Sequence, residues 1–288
     1  MKHLVLDNSA FSLLYCKRRF QLTAVNGLRG ADSPTAAFGN AFHTGAEVLD
    51  KTNDVMAMIQ ELAKKDYGEN QMKLVEALTL LHLTKKQPPA LMLVDGRIGI
   101  EVKFLIPSYY QALGYTIDLA GTIDRIHIAD DGYLEIVDYK SAADFKEAGQ
   151  RAKMEEYENS FQLPLYYLAC LNGDFLPEHA KALIREGKYR TKYIYIFYNA
   201  VPQIIRESVF AAYDPSFIGR AERTLIYMMH EAINVAEAIT PAPYTGMSTY
   251  KGCTYCPFRP GCAAHNYTEE IAFLTRFTQT PYNPLTFR

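Results

Sequence analysis

The chain has 288 residues, of which 49% are hydrophobic, so it can bury one large core. Its formal net charge of -2 excludes a protein that attracts nucleic acid through bulk positive charge, although a local basic patch remains compatible with it. Five cysteines do not make a disulfide scaffold, and no apolar run approaches the length of a membrane span.

The first residues, "MKHLVLDNSAF", place Asp7 where a signal peptide would be apolar. We therefore expect a soluble, cytoplasmic protein with no membrane partner. In a reducing cytoplasm, clustered cysteines bind metal more often than they form disulfides.

The predicted elements begin with helices. Ser9 is a predicted N-cap for a short helix in "AFSLLYCKRRFQL", and helical patterns cover about 38–83 with breaks near Asn53 and Gly68. After "QPP" the period changes to that of strands, in "LMLVD", "GIEVKFLI", "YTIDLAGTIDRIHI" and "YLEIVDYKS".

The second half predicts a long helix over about 151–171, followed by strands in "KYIYIFYNA" and "QIIRESVFAAY". A strongly amphipathic helix begins at "PSFIG", and "EEIAFLTRF" is a short last helix. The order predicts an α/β fold with a mixed β-sheet core flanked by helices. We interpret 1–288 as one domain, with a helical region at 38–88, a core at 91–240 and a C-terminal cap at 245–288.

The segment "GTIDRIHIADDGYLEIVDYKSA" predicts a β-hairpin. A three-residue loop with Gly132 in the left-handed conformation would place Ala129 opposite Tyr133, and therefore Asp124 opposite Asp138. Side chains alternate along strands, so one face carries aliphatic residues except at one end. There Asp124, Asp138 and Lys140 converge.

Charges on an apolar face are costly unless they are paired or bind a metal. Two facing carboxylates repel each other, and a hard divalent cation relieves that repulsion. A nearby lysine can orient a water for hydrolysis. Among four [D/E]-x-K strings in the chain, only that of Asp138 has an acidic partner in register on a preceding strand. The alternative is a surface Asp–Lys pair.

Other polar residues could support this cluster. His43 and Glu47 are spaced i, i+4 on a helix, so His43 could be a third ligand or an ordinary core histidine. Gln162 and Tyr166 share the same spacing and could bind substrate or line a packing face. "CKRRF" supplies Arg18 and Arg19, which could contact phosphates or lie in solvent.

Together "CKRRF", "GNAFHTGAE", "GTIDRI", "IVDYK", "QLPLY" and "CTYCPFRPGC" occur in an order that resembles PD-(D/E)xK nucleases of the RecB/AddB type. The resemblance is closest to their iron–sulfur branch, which includes the CRISPR-associated RecB-like exonucleases. It covers about residues 9–262. It implies a restriction-endonuclease-like core and an iron–sulfur cap.

The resemblance implies that His43, Asp124 and Asp138, with the Tyr139 carbonyl, bind Mg²⁺ or Mn²⁺. Lys140 would position the attacking water, and Glu47 and Glu101 would be outer ligands. Gln162 and Tyr166 match the family's Q-x3-Y motif, which implies substrate contact. By the same resemblance a [4Fe–4S] cluster would be held by Cys16, Cys253, Cys256 and Cys262. Four thiolates also suit a structural Zn²⁺ site, which stays open as the alternative.

The expected function is a metal-dependent deoxyribonuclease, more an exonuclease on single strands or DNA ends than an endonuclease. The alternative is a catalytically weak DNA-binding or assembly subunit. No phosphate-binding G-x4-GK[ST] loop is present, so a helicase motor would come from a partner protein. Repair, recombination, CRISPR adaptation and phage DNA metabolism are all compatible with these motifs.

Overall fold

The structure is a computed structural model, and it describes residues 2–29, 34–65, 70–85, 87–143, 146–158, 160–200, 203–210, 215–238, 256–258 and 273–279. Two compact units can be recognised. The first comprises Met1–Ser33, Ile106–Ala120 and Gly219–Arg288, and the second comprises Pro34–Leu105 and Gly121–Ile218.

The helices of the second unit are α3 (Pro34–Thr52), α4 (Val55–Leu62), α5 (Asn70–Thr84), α6 (Glu147–Glu158), α7 (Gln162–Asn172) and α8 (Glu178–Arg185). The predicted break near Asn53 is confirmed. Asn53 takes a left-handed backbone with φ of 54°. Asp54 then caps α4 by accepting hydrogen bonds from the Met56 and Ala57 amides, at 2.7 and 3.3 Å.

The strands of this unit belong to a mixed sheet, as the sequence predicts. They are β5 (Leu134–Ala142), β6 (Tyr189–Phe197) and β7 (Ile204–Phe210), with parts of β3 (Ile100–Ala112) and β4 (Tyr115–Ile128), which also enter the first unit. β4 pairs with β5 antiparallel, β5 with β6 parallel, and β6 with β7 antiparallel. The parallel pair requires a crossover, which α6, α7 and α8 provide.

The register of the β4–β5 hairpin is the predicted one. Arg125 lies opposite Val137 and Ile128 opposite Leu134. The Ala129 amide donates to the Tyr133 carbonyl at 2.8 Å, and Gly132 has a φ of 84° in the loop. Asp124 and Asp138 are the next residues along the two strands, at the end of the hairpin away from its loop, which we call the site end.

The core of this unit packs α3, α4 and α5 against one face of β5 and β6. It is built from Phe38, Ala41, Phe42, Ala46, Leu49, Met58, Leu62, Leu74, Ala77, Leu78, Leu81, Val137, Tyr139, Ile194, Ile196 and Tyr198. Residues on both faces of β5 are buried. Buried residues therefore follow one another along this strand, instead of alternating with exposed ones.

A buried network of ion pairs lies at the loop end of the hairpin. Glu135 is 2% exposed, and its carboxylate pairs with His127 and Lys192 at 2.9 and 2.8 Å. Arg190 donates to the same carboxylate at 2.5 Å and to Asp131 at 2.7 Å. Burial alone would raise the pKa of Glu135, but the hydrogen bonds from His127 and Lys192 lower it to about 2.

This depressed pKa predicts a pH-dependent contribution to stability. Because the folded pKa is below the unfolded one, Glu135 stabilises the fold above about pH 4.5, by about 3 kcal/mol, and loses this contribution as the pH falls toward 2. We expect Glu135→Gln to flatten the fall in unfolding free energy between pH 5 and pH 3, measured by urea denaturation. The same slope in both proteins would contradict the assignment.

In the first unit, the described elements are β1 (Lys2–Leu6), α1 (Asn8–Leu13), α2 (Lys17–Phe20), β2 (Leu28–Arg29), α9 (Pro215–Glu237) and β8 (Thr278–Gln279). A π-helical turn, Gln21–Val25, follows α2. β1 pairs in parallel with Tyr115–Leu119 of β4, and β2 pairs with β8. Lys17 and Glu231 form an ion pair at 2.6 Å between α2 and α9.

The structure corrects the prediction for the first helix. Asp7, not Ser9, is the N-cap of α1, since its Oδ1 accepts from the Ala10 amide at 2.7 Å. The helix ends at Leu13, and Cys16 takes an extended backbone before α2 starts. β1 and α8 were not predicted from the sequence.

The prediction of one helix over 151–171 is wrong, because two helices, α6 and α7, occupy this segment. Pro164 lacks an amide hydrogen and its ring clashes with a preceding helical turn, so it is tolerated in the first turn of α7 but not in mid-helix. The predicted "LMLVD" strand is reduced to isolated bridges at Ala90 and Met92. A tight turn at Gly96, with φ of 81°, follows too closely for a longer strand.

Part of the prediction lies outside the described residues. The predicted last helix is described only from Phe273, and most of the predicted 245–288 cap is not described. The domain boundaries therefore stay predictions. Among the described helices, none combines the length and the apolar character that crossing a bilayer requires.

Candidate functional site

Two carboxylates lie at the site end of the β4–β5 hairpin. Asp124 is 2% exposed and Asp138 is fully buried. The backbone amide of Tyr139 donates to Asp124 Oδ2 at 2.7 Å. This bond holds the Asp124 carboxylate beside the start of the DYK segment.

His43 and Glu101 join Asp124 in a group that could hold a metal ion. His43 Nδ1 lies 3.4 Å from Asp124 Oδ2 and 3.9 Å from Glu101 Oε1. One ligand atom from each residue lies within 4.8 Å of the other two. A donor set of two carboxylates and one imidazole, partly buried and with a surplus of negative charge, fits Mg²⁺ or Mn²⁺.

Glu101 belongs to this group, whereas the family resemblance implied only an outer position for it. Its backbone is left-handed, with φ of 49°, which is strained for a residue with a side chain. Gly99 precedes it in close contact with β4, since a Cβ there would lie 2.7 Å from the Ile126 carbonyl oxygen. A glycine two residues before an acidic residue at a strand start was the available signal.

Lys140 forms a buried ion pair with Asp138. Its Nζ lies 2.5 Å from Asp138 Oδ2. Burial raises the pKa of the Asp138 carboxyl, and Asp124 adds to this shift against the opposing charge of Lys140. Burial would lower the pKa of Lys140, but the Asp138 and Asp124 carboxylates outweigh it and raise that pKa. Lys140 therefore stays protonated.

The other oxygen of Asp138 is held from α7. Gln162 Nε2 donates to Asp138 Oδ1 at 2.7 Å, and the Tyr166 hydroxyl lies 3.0 Å from the same oxygen. The single Tyr166 hydroxyl hydrogen can be donated either to this oxygen or to the Thr122 carbonyl at 2.6 Å. Both side chains thus orient Asp138 in this structure, and the predicted substrate contact remains a prediction.

Two tyrosines that were not predicted from the sequence lie near Lys140. Lys140 Nζ lies 5.2 Å from the ring centroid of Tyr157 and 5.7 Å from that of Tyr193. Tyr193 neighbours Asp138 on β6, and its hydroxyl donates to the Tyr157 carbonyl at 3.1 Å. Cation–π contacts of this kind favour the ammonium form of Lys140. They depend on tertiary packing and leave no signal in the local sequence.

Three predicted residues lie in other surroundings. Glu47 pairs with Lys51 at 2.5 Å, one turn along α3. Arg18 is only 4% exposed and hydrogen-bonds Gln21 within its own segment, which argues against its predicted contact with an outside phosphate. Arg19 is half-buried. The spacing alone could not show which arginine faces inward.

The predicted cysteine cluster is only partly described. Cys16 and Cys256 are both half-buried, while Cys253 and Cys262 lie outside the described residues. Cys170, which the sequence assigns to the core, is fully buried in α7, and burial raises the pKa of its thiol. The iron–sulfur assignment therefore stays a prediction.

The model of the PD-(D/E)XK nuclease superfamily matches residues 9–263, which include every residue of the site described above. The chain belongs to the PD-(D/E)XK nuclease superfamily. Membership indicates metal-dependent nuclease chemistry with DNA as the substrate class, and it confirms the superfamily part of the resemblance. The RecB/AddB type and the iron–sulfur branch are not established by this match.

Two further comparisons add little. No curated protein matches the nuclease sequence. A solved structure titled "Crystal structure of SSO0001" is similar over 88% of this chain and 94% of that chain, with 15% identity and a TM-score of 0.37. A TM-score of this size is too low to show a shared fold.

Proposed function

We propose that the protein is a Mg²⁺- or Mn²⁺-dependent deoxyribonuclease that acts as an exonuclease on single-stranded DNA or DNA ends. The observation that supports this most is the adjacency of a buried Asp138–Lys140 pair and the His43–Glu101–Asp124 group, joined by the Tyr139-to-Asp124 hydrogen bond. Acidic ligands for a divalent cation beside a fixed ammonium suit phosphodiester hydrolysis.

His43, Glu101 and Asp124 would hold the ion, with Asp138 and the Tyr139 carbonyl as further proposed ligands. When bound, a divalent cation polarises the scissile phosphate and makes a water easier to deprotonate. Gln162 and Tyr166 keep the Asp138 carboxylate in one orientation by bonding Oδ1, which leaves Oδ2 facing Lys140.

Lys140 would act on the reacting groups. Its ammonium, held charged beside Asp138, can donate hydrogen bonds to the attacking water and to a phosphate oxygen. The side chain is 12% exposed, so a substrate phosphate can approach it while bulk solvent stays largely excluded. A fixed charge in such surroundings stabilises the transition state more than it would in water.

The mode of cleavage is tested with anaerobically purified protein, Mn²⁺ and end-labelled single- and double-stranded DNA. Release of the label as mononucleotides from one end supports the exonuclease and gives its polarity. Internal fragments would make the protein an endonuclease. Intact DNA at saturating Mn²⁺ would contradict the proposed activity and favour the assembly-subunit alternative.

We further propose that Cys16, Cys253, Cys256 and Cys262 bind a [4Fe–4S] cluster, with structural Zn²⁺ as the alternative. The support is the C-x2-C-x5-C spacing and the early cysteine in "CKRRF". We expect Cys256→Ser to lower soluble yield and to remove thiolate-to-iron absorption in the visible region. Cys170→Ser is the matched control, since it should leave the absorption intact. Unchanged metal content and stability in Cys256→Ser would refute the assignment.

A further inference from the structure

A second buried polar network lies next to the metal-binding group and is not used by the proposed chemistry. Asp50 Oδ1 pairs with Arg125 Nη1 at 2.8 Å, and the Tyr139 hydroxyl donates to Asp50 Oδ2 at 3.2 Å. Arg125 also donates to the Pro88 carbonyl. The Arg125 side chain is 4% exposed and that of Asp50 is 16% exposed, so the network is largely removed from water.

Each member of this network comes from an element that also carries a residue of the site. Arg125 follows Asp124 on β4, and Tyr139 follows Asp138 on β5. Asp50 lies seven residues after His43 on α3, about two turns along the same side of the helix.

These contacts connect α3 to the hairpin at two points. His43 Nδ1 meets Asp124 Oδ2, and the same oxygen accepts from the Tyr139 amide. The Tyr139 side chain then returns to α3 by bonding Asp50. A helix held at two points two turns apart can neither slide along its axis nor rotate without breaking a contact.

We propose that Asp50, Arg125 and Tyr139 are positioning residues that fix α3 against the β4–β5 hairpin and so set the distance between His43 and the Asp124 carboxylate. The inference rests on the proposed function, since it assigns these residues to the same metal-binding group. The positioning role belongs to the Tyr139 side chain, whereas the Tyr139 backbone carbonyl is a proposed metal ligand.

The energetics of buried ion pairs support a positioning role. A buried pair is often no more stabilising than apolar residues of the same volume, so its presence is weak evidence for a contribution to stability alone. A cavity of about 110 Å³ adjoins the network and is lined in part by Asp50, Asn53, His82, Arg125 and Tyr139. Without the network, α3 would have space into which to shift.

The test compares Asp50→Asn and Tyr139→Phe with Glu135→Gln. Glu135 is the control, because it belongs to a buried ionic network on the same hairpin but at its loop end. For each full-length variant we would measure the Mn²⁺ dissociation constant by titration calorimetry, the unfolding free energy without metal, and kcat and KM for DNA cleavage.

We expect Asp50→Asn to weaken Mn²⁺ binding by about 10-fold or more and to lower kcat, with little change in KM for DNA. Tyr139→Phe removes only a hydroxyl and leaves the Asp50–Arg125 pair, so it should show a smaller loss in the same direction, even if Asp50→Asn fails to fold. Glu135→Gln should be less stable at neutral pH but bind Mn²⁺ with unchanged affinity.

Two negative results have different meanings. If the unsubstituted protein binds Mn²⁺ and cleaves DNA, but Asp50→Asn and Tyr139→Phe keep its Mn²⁺ affinity, the positioning role is overturned and the proposed function stands. If the unsubstituted protein neither binds Mn²⁺ nor cleaves DNA, the proposed function itself is overturned.

Discussion

Lys140→Ala is expected to lower the rate of DNA cleavage at saturating Mn²⁺ by a factor of about 1,000. The lysine is the one cation within 2.5 Å of Asp138 among the described residues, and its ammonium is held charged by the Asp138 and Asp124 carboxylates. Its removal deletes the donor that would stabilise charge on the phosphate. Steady-state cleavage of end-labelled DNA measures the loss.

The loss must be separated from unfolding, since Lys140→Ala leaves Asp138 buried without its cation. Asp138 keeps the bonds from Gln162 and Tyr166, and its raised pKa lets it take up a proton instead. We therefore expect a folded variant of reduced stability. Lys188→Ala is the matched control, because Lys188 belongs to another E-x-K string but forms an exposed pair with Glu186 at 3.0 Å. Equal cleavage rates in the two variants would refute the role of Lys140.

Asp124→Asn is expected to abolish both cleavage and stabilisation by Mn²⁺ while the fold persists. Asparagine keeps the shape of the side chain and an oxygen that can accept from the Tyr139 amide, but it removes a negative charge from the metal-binding group. It also relieves the repulsion by which Asp124 helps to raise the pKa of Asp138. The metal-free variant should therefore be at least as stable as the unsubstituted protein.

Thermal unfolding with and without Mn²⁺ measures this effect. At a Mn²⁺ concentration 100 times the dissociation constant, binding stabilises the native state by about 2.7 kcal/mol, so the unsubstituted protein should unfold at a higher temperature. Asp124→Asn should show no such rise. A full rise in the variant would exclude Asp124 as a ligand.

The sequence could predict the hairpin and its charges because they depend on local rules. The two-residue period of strands and a glycine in a three-residue loop are enough to place Asp124 opposite Asp138. The same reasoning predicted helices before the sheet and a break near Asn53. These features need no knowledge of distant parts of the chain.

Other features depend on contacts between distant segments, and the sequence did not reveal them. Glu101 reaches the metal-binding group because Gly99 allows close approach to β4. Tyr157 lies over Lys140 only because α6 packs near β5 and β6. The bond from the Gln162 amide to Asp138 likewise joins α7 to β5, which are distant in the chain. Pro164 could have warned against one long helix over 151–171.

The left-handed backbone of Glu101 has a consequence for directed evolution. Glycine adopts this conformation without strain, so Glu101→Gly should release about 1 kcal/mol of backbone strain, besides removing a negative charge from beside Asp124. Selection of variants for heat resistance alone would therefore favour losing this carboxylate. A library screened without a DNA-cleavage step would be expected to accumulate robust but inactive proteins with substitutions at this position.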